Sequence, residues 1–254
     1  NAAYFAISET MKGDSGMTKA VNESLTLTKN SVATARLGAE QFSDLATEFR
    51  DKVAFAQENK GGLSEIEADL TRLVADMSAI MSQSTFNGDD LVNAGKKGAA
   101  GANAVAGTMD AYGAVTPGAT PSAAQADRSI ITGISRDSAG ALQTTTVTVS
   151  PVDLNAQLET FTLIAGSFAT RAGATTDANT NGTIDGDEYL AAVLTLADTA
   201  TQNTVDAATS LGQSEKSIER QQEFLTKLSD NLDAGVGAMV DANMEEEAAR
   251  LQAL

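Results

Sequence analysis

One hydrophobic ladder in the first quarter of the chain restricts its fold more than any other feature. Val21, Leu25, Thr28, Val32, Ala35, Ala39, Phe42, Ala46, Phe49, Val53 and Ala56 follow one another at alternating spacings of four and three residues. Such spacing puts every member on one face of an α-helix and leaves no two-residue strand period. Gly61 and Gly62 end the run, and Ser64 with Glu67 has the spacing of a capping box that opens a second helix. The apolar face of that helix is Leu63, Ile66, Leu70, Leu73, Met77 and Ile80. Two amphipathic helices joined at paired glycines predict an antiparallel hairpin.

The last quarter repeats the pattern through Leu190, Leu194, Ala197, Thr201, Thr204, Ala208, Leu211, Glu215, Ile218, Gln222, Leu225, Ser229 and Leu232. Polar residues in several of these slots suit a third bundle member packing on the N-terminal pair better than a helix standing alone. Gly235 and Gly237 predict a break, and Asn243 with Glu246 has capping-box spacing for a final helix that would carry Glu245, Glu246 and Glu247 in its first turn.

Between these ends the composition changes. Residues Asn93 to Asp127 are rich in Ala, Gly, Thr and Ser, include Pro117 and Pro121, and show no helical face, which predicts loops or irregular strands. The pair Lys96-Lys97 within them is an anion contact or, more simply, two solvated loop lysines. Arg128-Ser-Ile-Ile-Thr-Gly133 and Thr144-Thr-Thr-Val-Thr-Val149 have the β-branched density of strands, with turn residues around Asp137 to Gly140. Asp153 to Ala172 suits either helix or strand, and the spacing of Leu158, Phe161, Ala165 and Phe168 favours helix. The expected fold is mainly α with an inserted α+β region. Residues 1–92 and 190–254 form an elongated antiparallel helical bundle, and residues 93–189 form a projecting, solvent-exposed middle domain with short strands.

Composition narrows the chemistry. The 254 residues include no His, no Cys and no Trp, which removes Ser-His-Asp, Cys-His and His-Glu-x-x-His catalysis, thiolate metal sites and disulfides. Carboxylate, Ser-Lys or Thr chemistry and hard-cation sites made of oxygen remain. With 34 acidic against 17 basic residues the net charge is −17, which opposes any direct grip on nucleic acid or anionic membrane. No apolar run reaches the roughly 18 residues of a membrane-spanning helix. The chain starts at Asn1 without the charged and apolar stretches of a secretory signal, and a piece cut at both ends is expected.

One segment has the pattern of a metal loop. Asp177-Ala-Asn179-Thr-Asn181-Gly182-Thr183-Ile184-Asp185-Gly-Asp187-Glu188 agrees with the twelve-residue EF-hand loop. Ca²⁺ needs six to eight hard oxygens, so alternate side chains must aim inward. Asp177, Asn179 and Asn181 would each give one oxygen, Thr183 its main-chain carbonyl, Asp185 a direct or water-borne contact, and Glu188 both carboxylate oxygens. Gly182 suits the left-handed bend at the sixth position and Ile184 the apolar anchor at the eighth. The same residue types also make an Asx-rich surface turn, but the closing Glu is more specific than turn composition. A single loop with a poorly formed entering helix predicts a static ion rather than an opening sensor.

Helical ends around a different middle resemble bacterial flagellin, and the junctions carry the likeness. Met81-Ser-Gln-Ser-Thr-Phe-Asn-Gly-Asp-Asp-Leu-Val92 resembles the segment that closes that family's N-terminal helical region. Asp241-Ala-Asn-Met-Glu-Glu-Glu-Ala-Ala-Arg-Leu-Gln-Ala-Leu254 resembles the opening of its last helix, and Asn1-Ala-Ala-Tyr-Phe-Ala-Ile-Ser-Glu-Thr the entry to its first. The resemblance covers residues 1–92 and about 190–254. It implies a structural, non-enzymatic subunit of an extracellular filament, with other flagellin subunits as partners. It also implies that the outermost helices are missing and that this piece stays monomeric. The alternative is a cell-surface adhesin that meets polysaccharide, which the lack of Trp and the negative charge weaken.

Overall fold

The computed structural model describes residues 2–94, 107–118 and 125–254, so Lys96-Lys97 and Pro121 lie outside the described residues. Helix α1 (Ala2–Ala56) is followed by a 3₁₀ turn (Lys60–Gly62) and α2 (Leu63–Gln83). Four two-residue strands come next, β1 (Thr85–Phe86), β2 (Asp89–Asp90), β3 (Thr108–Met109) and β4 (Val115–Thr116), then β5 (Arg128–Arg136) and β6 (Leu142–Val149). Helices α3 (Leu154–Ala165), α4 (Phe168–Ala172) and α5 (Asp185–Ala253) complete the chain. Among the described residues the strands pair as three antiparallel hairpins, β1 with β2, β3 with β4 and β5 with β6.

The chain divides into two compact units. One comprises Asn1–Asn30, Arg128–Val149 and Ser214–Leu254, the other Ser31–Asp127 and Ser150–Gln213. Each unit thus takes part of both helical ends and part of the middle, whereas the sequence suggested a middle domain bounded at residues 93 and 189. The second expected boundary falls inside α5, which begins at Asp185.

The unit around residues 31–127 and 150–213 holds most of the apolar core. Nine of the eleven ladder residues are buried, Val21 and Thr28 being half-buried. In this unit the ladder meets α3, where the Phe161 ring lies 4.8 Å from Phe49 and 6.3 Å from Phe42. It also meets α5, where the buried Thr201 donates from Oγ1 to Ala197 O at 2.7 Å and to Ala46 O at 3.3 Å. A polar residue in this slot is tolerated because a carbonyl one turn back satisfies it. On α2 the buried row ends at Met81 rather than Ile80, and on α5 Val193 is buried where Leu194 is half-buried. A straight helix of 3.6 residues per turn drifts off a 3.5-residue pattern, and these shifts follow that drift. Between β1 and β2 the Asn87-Gly88 turn has φ of +52° and +78°, the pair of left-handed residues that a two-residue hairpin of this hand requires.

Three helix signals in the sequence are not used. The cap of α2 is Gly62, with Ser64 already in the helix. Neither Gly235 nor Gly237 breaks α5, so Asn243 caps nothing and Glu245, Glu246 and Glu247 sit in the helix interior. There Glu246 and Glu247 reach Arg250 at 3.2 and 3.6 Å, supplying the i,i+4 and i,i+3 pairs that support an exposed helix. A glycine costs a helix about 1 kcal/mol, which is too little to end one that packing holds. At Gly235 the missing side chain is useful, since a Cβ would stand 2.5 Å from Met11 Cε.

The unit around residues 1–30, 128–149 and 214–254 has a thinner, more polar interior. Leu25, Ile218 and Leu225 are buried beside Ser8, Ser15, Thr18 and Ser229. Ser15 Oγ donates to Asp233 Oδ1 at 2.6 Å and Lys19 Nζ to Asp233 Oδ2 at 2.9 Å, and these bonds hold the Asp233 carboxyl below the usual carboxylate range. The β5–β6 hairpin pairs Arg128 with Val149 through to Arg136 with Leu142, with an irregularity between Ile131 and Gly133. Its turn is tied by Asp137, whose Oδ1 accepts from Ala141 N at 2.8 Å and Ala139 N at 2.9 Å.

Candidate cation-binding loop

The residues from Asp177 to Glu188 lead into α5, and their side chains organise the backbone. Asp177 accepts from Asn181 N at 3.1 Å through Oδ1 and from Gly182 N at 2.8 Å through Oδ2. Asn179 Oδ1 accepts from Asn181 N at 3.2 Å, and Asn181 Oδ1 from Thr183 N at 2.9 Å. Every second side chain is thereby turned toward the inside of a run of Asx turns. Gly182 takes the left-handed conformation expected of it, φ +88°, and Thr180 takes it as well at +57°.

Glu188 closes the loop from the first turn of α5. Its Oε2 accepts from Asn179 Nδ2 and from Asn181 Nδ2, each at 3.0 Å. Asp177, Asn179, Asn181 and Glu188 therefore come together, with Thr183 held on the same run by its amide. Asp185 does not join them. Its buried carboxylate faces the loop entrance, accepting from Thr176 Oγ1 at 3.0 Å and from Ala178 N at 3.2 and 3.3 Å, while its own N–H donates to Thr176 O at 2.8 Å. Among the described residues no group of three or more Asp or Glu side chains stands ready to hold a metal.

Four further residues shape the site that the spacing did not identify. Thr176 anchors Asp185. Gly186 allows close approach, because a Cβ there would stand 2.5 Å from Ala172 O and 2.6 Å from Ala174 O. Lys60 forms an ion pair with Asp187. Tyr112, from the β3–β4 turn, has its phenol raised above the usual value by burial and then by the charges of Asp185, Glu188, Asp110 and Asp177. The Asp-Gly-Asp step was a visible signal for Gly186, whereas nothing near residues 60 or 112 announces a role at residue 177. Behind the loop, Tyr189 is fully buried, donates to Ile164 O at 3.1 Å and packs 5.9 Å from the Phe168 ring. Burial pushes its phenol up to about 12. The entering helix α4 is five residues long and stops before Gly173, so the loop is braced by α5 and Tyr189 more than from its N-terminal side.

Comparison with known proteins gives a consistent result. The family model for the bacterial flagellin C-terminal helical region matches residues 194–254. Flagellin C of Rhizobium meliloti (strain 1021) is 27% identical over the whole chain, which spans 78% of that relative. A flagellin of Brucella melitensis biotype 1 is 26% identical, again over the whole chain and 76% of the relative. In fold, the chain is similar to a flagellar hook-associated protein from Vibrio parahaemolyticus, with a TM-score of 0.58 and 11% identity over 93% of this chain and 96% of that one.

Proposed function

We propose that the chain is a bacterial flagellin, as its similarity to that family supports, and that it is a filament subunit carrying one Ca²⁺ in the loop from Asp177 to Glu188. A flagellin is a structural protein of the extracellular flagellar filament and not an enzyme, and its partners are other flagellin subunits.

The observation that supports the calcium reading is the meeting of Asp177, Asn179, Asn181 and Glu188 side chains on one short run of backbone. Two amide N–H groups point at Glu188 where a divalent cation would offer it more charge. Asp177, Asn179 and Asn181 would supply side-chain oxygens, Thr183 its carbonyl and Glu188 its carboxylate. Asp185 would contribute only by leaving Thr176 or through a water. Residues 177–188 contain four acidic side chains and no basic one, so a bound dication relieves local repulsion. The bound ion would brace the start of α5 and so the core behind it.

Isothermal titration after chelation tests this. One site is expected, with a Kd of about 10⁻⁴–10⁻³ M, the range of extracellular modules. Asp177→Ala or Glu188→Gln should abolish it, and no heat of binding at millimolar Ca²⁺ in the parent chain would refute the reading.

A further inference from the structure

A chain of net charge −17 that packs against copies of itself needs places where opposite charges meet. Long-range repulsion between subunits is screened beyond about 8 Å at physiological salt, so the sign of the charges in direct contact decides whether two surfaces can close. Two exposed helix faces supply such a match.

On α5, Lys216, Arg220 and Lys227 are exposed and lie on one face, since steps of four and seven residues return to nearly the same angle. Among the described residues none of the three forms an ion pair, and Arg220 has only a weak Nε contact to Lys216 O at 3.4 Å. Glu223 shares the face, and Glu219 beside it is occupied by Lys29 at 3.2 Å. Three cations against one free carboxylate make this face locally positive in a strongly acidic protein.

On α1, Glu40, Asp44, Glu48 and Asp51 are all exposed and recur at steps of four, four and three residues. Arg36 holds Glu40 at 2.9 Å and Arg50 holds Asp51 at 3.2 Å, while Asp44 and Glu48 have no cationic partner among the described residues. Both stripes cover twelve residues, and their end residues stand about 16 Å apart along the helix. They are equal in length and opposite in sign, and each has members left unpaired within its own chain.

We propose that the Lys216–Arg220–Lys227 face of α5 docks against the Glu40–Asp44–Glu48–Asp51 face of α1 in a second copy of this chain. The inference rests on the filament reading and names the surfaces it uses. Because the two faces differ, the contact is heterologous. Each subunit added leaves one stripe of each sign open, which is the arrangement that grows an open array rather than closing a dimer.

The test uses full-length protein grown in light and heavy nitrogen, mixed, assembled into filaments and treated with a zero-length carbodiimide that joins a lysine amine to a touching carboxylate. Light–heavy peptides linking Lys216 or Lys227 to Asp44 or Glu48 are expected. Reversing charge with Lys216→Glu and Arg220→Glu should remove them and slow incorporation at least tenfold, with helix content by circular dichroism unchanged. Adding Asp44→Lys and Glu48→Lys should restore most of the loss. Filaments without these cross-links, or a swap that restores nothing, would overturn the pairing. Parent chains that never assemble would instead overturn the filament reading on which it rests.

Discussion

Replacing Gly38 by alanine sets two effects of opposite sign against each other. In an exposed helix the exchange stabilises by about 1 kcal/mol, because alanine loses less backbone freedom on folding. Gly38 is buried where α1 meets the end of α2, and an added Cβ would overlap Ser84 Oγ and stand 2.5 Å from Ser84 Cβ. The hydroxyl, which donates to Ile80 O at 2.6 Å, could rotate away, but Ser84 Cβ is fixed to the backbone that caps α2. The segments must then separate, and overpacking of this kind costs about 1–3 kcal/mol. With the rigid contact near the top of that range, the net loss is about 2 kcal/mol. That corresponds to a fall of about 4–8 °C in the melting temperature of a 150–250-residue body. In a Ser84→Gly background the nearest remaining atom of residue 84 is its Cα at 3.6 Å, an ordinary contact. There Gly38→Ala should become stabilising by about 1 kcal/mol, the helix term alone. Urea unfolding of the four variants gives both signs and their coupling. If Gly38→Ala stabilises the parent chain, or changes stability equally in both backgrounds, the close approach of α1 to Ser84 is wrong.

Two further outcomes follow from titrating groups. Hydrogen bonds from Ser15 and Lys19 lower the folded-state pKa of Asp233, so their contribution is full above the unfolded value of about 3.9 and is lost as pH falls through the lower folded value. Melting curves below about pH 4 should therefore be flatter for Asp233→Asn than for the parent chain, and parallel curves would contradict that. At the loop, burial and nearby carboxylates hold the Tyr112 phenol high. Bound Ca²⁺ would offset those charges, so its titration, followed by tyrosinate absorbance, should move toward lower pH with Ca²⁺ and stay put in Asp177→Ala. A midpoint unmoved when calorimetry shows Ca²⁺ bound would put the ion elsewhere.

Periodic apolar residues were legible because burial of one helix face leaves its mark directly on spacing. Leu25, Phe42, Phe49, Leu70, Leu211 and Ile218 are all buried as the ladders predict. The hairpin of β5 and β6 and the helices at 154–172 could also be read, the first from β-branched density and the second from the spacing of Phe161 and Phe168. Local stop and start signals were less reliable. Gly235 and Ser64 have the right chemistry for a break and a cap, but each costs or contributes only about 1 kcal/mol, and packing along a long helix exceeds that. At the loop, spacing identified the residues that turn inward, because alternate Asx side chains satisfy nearby amides on their own. It could not foresee that Asp185 would be drawn to Thr176 and Ala178, nor that Lys60 and Tyr112 would arrive from distant segments.

The bond from Ser15 to Asp233 joins residues 218 positions apart, and that separation governs when folding can finish. During synthesis the first helix emerges with its buried face made and almost nothing to cover it. The covering residues on α5 begin at Asp185, and those that meet Ser15 come in the last tenth of the chain. Closing so long a loop adds entropy only logarithmically, so final stability suffers little, but the search is slow and waits for the C-terminal end. On the ribosome the unit of residues 1–30, 128–149 and 214–254 should therefore stay open, since any interruption before Asp233 is made leaves Ser15 without that partner.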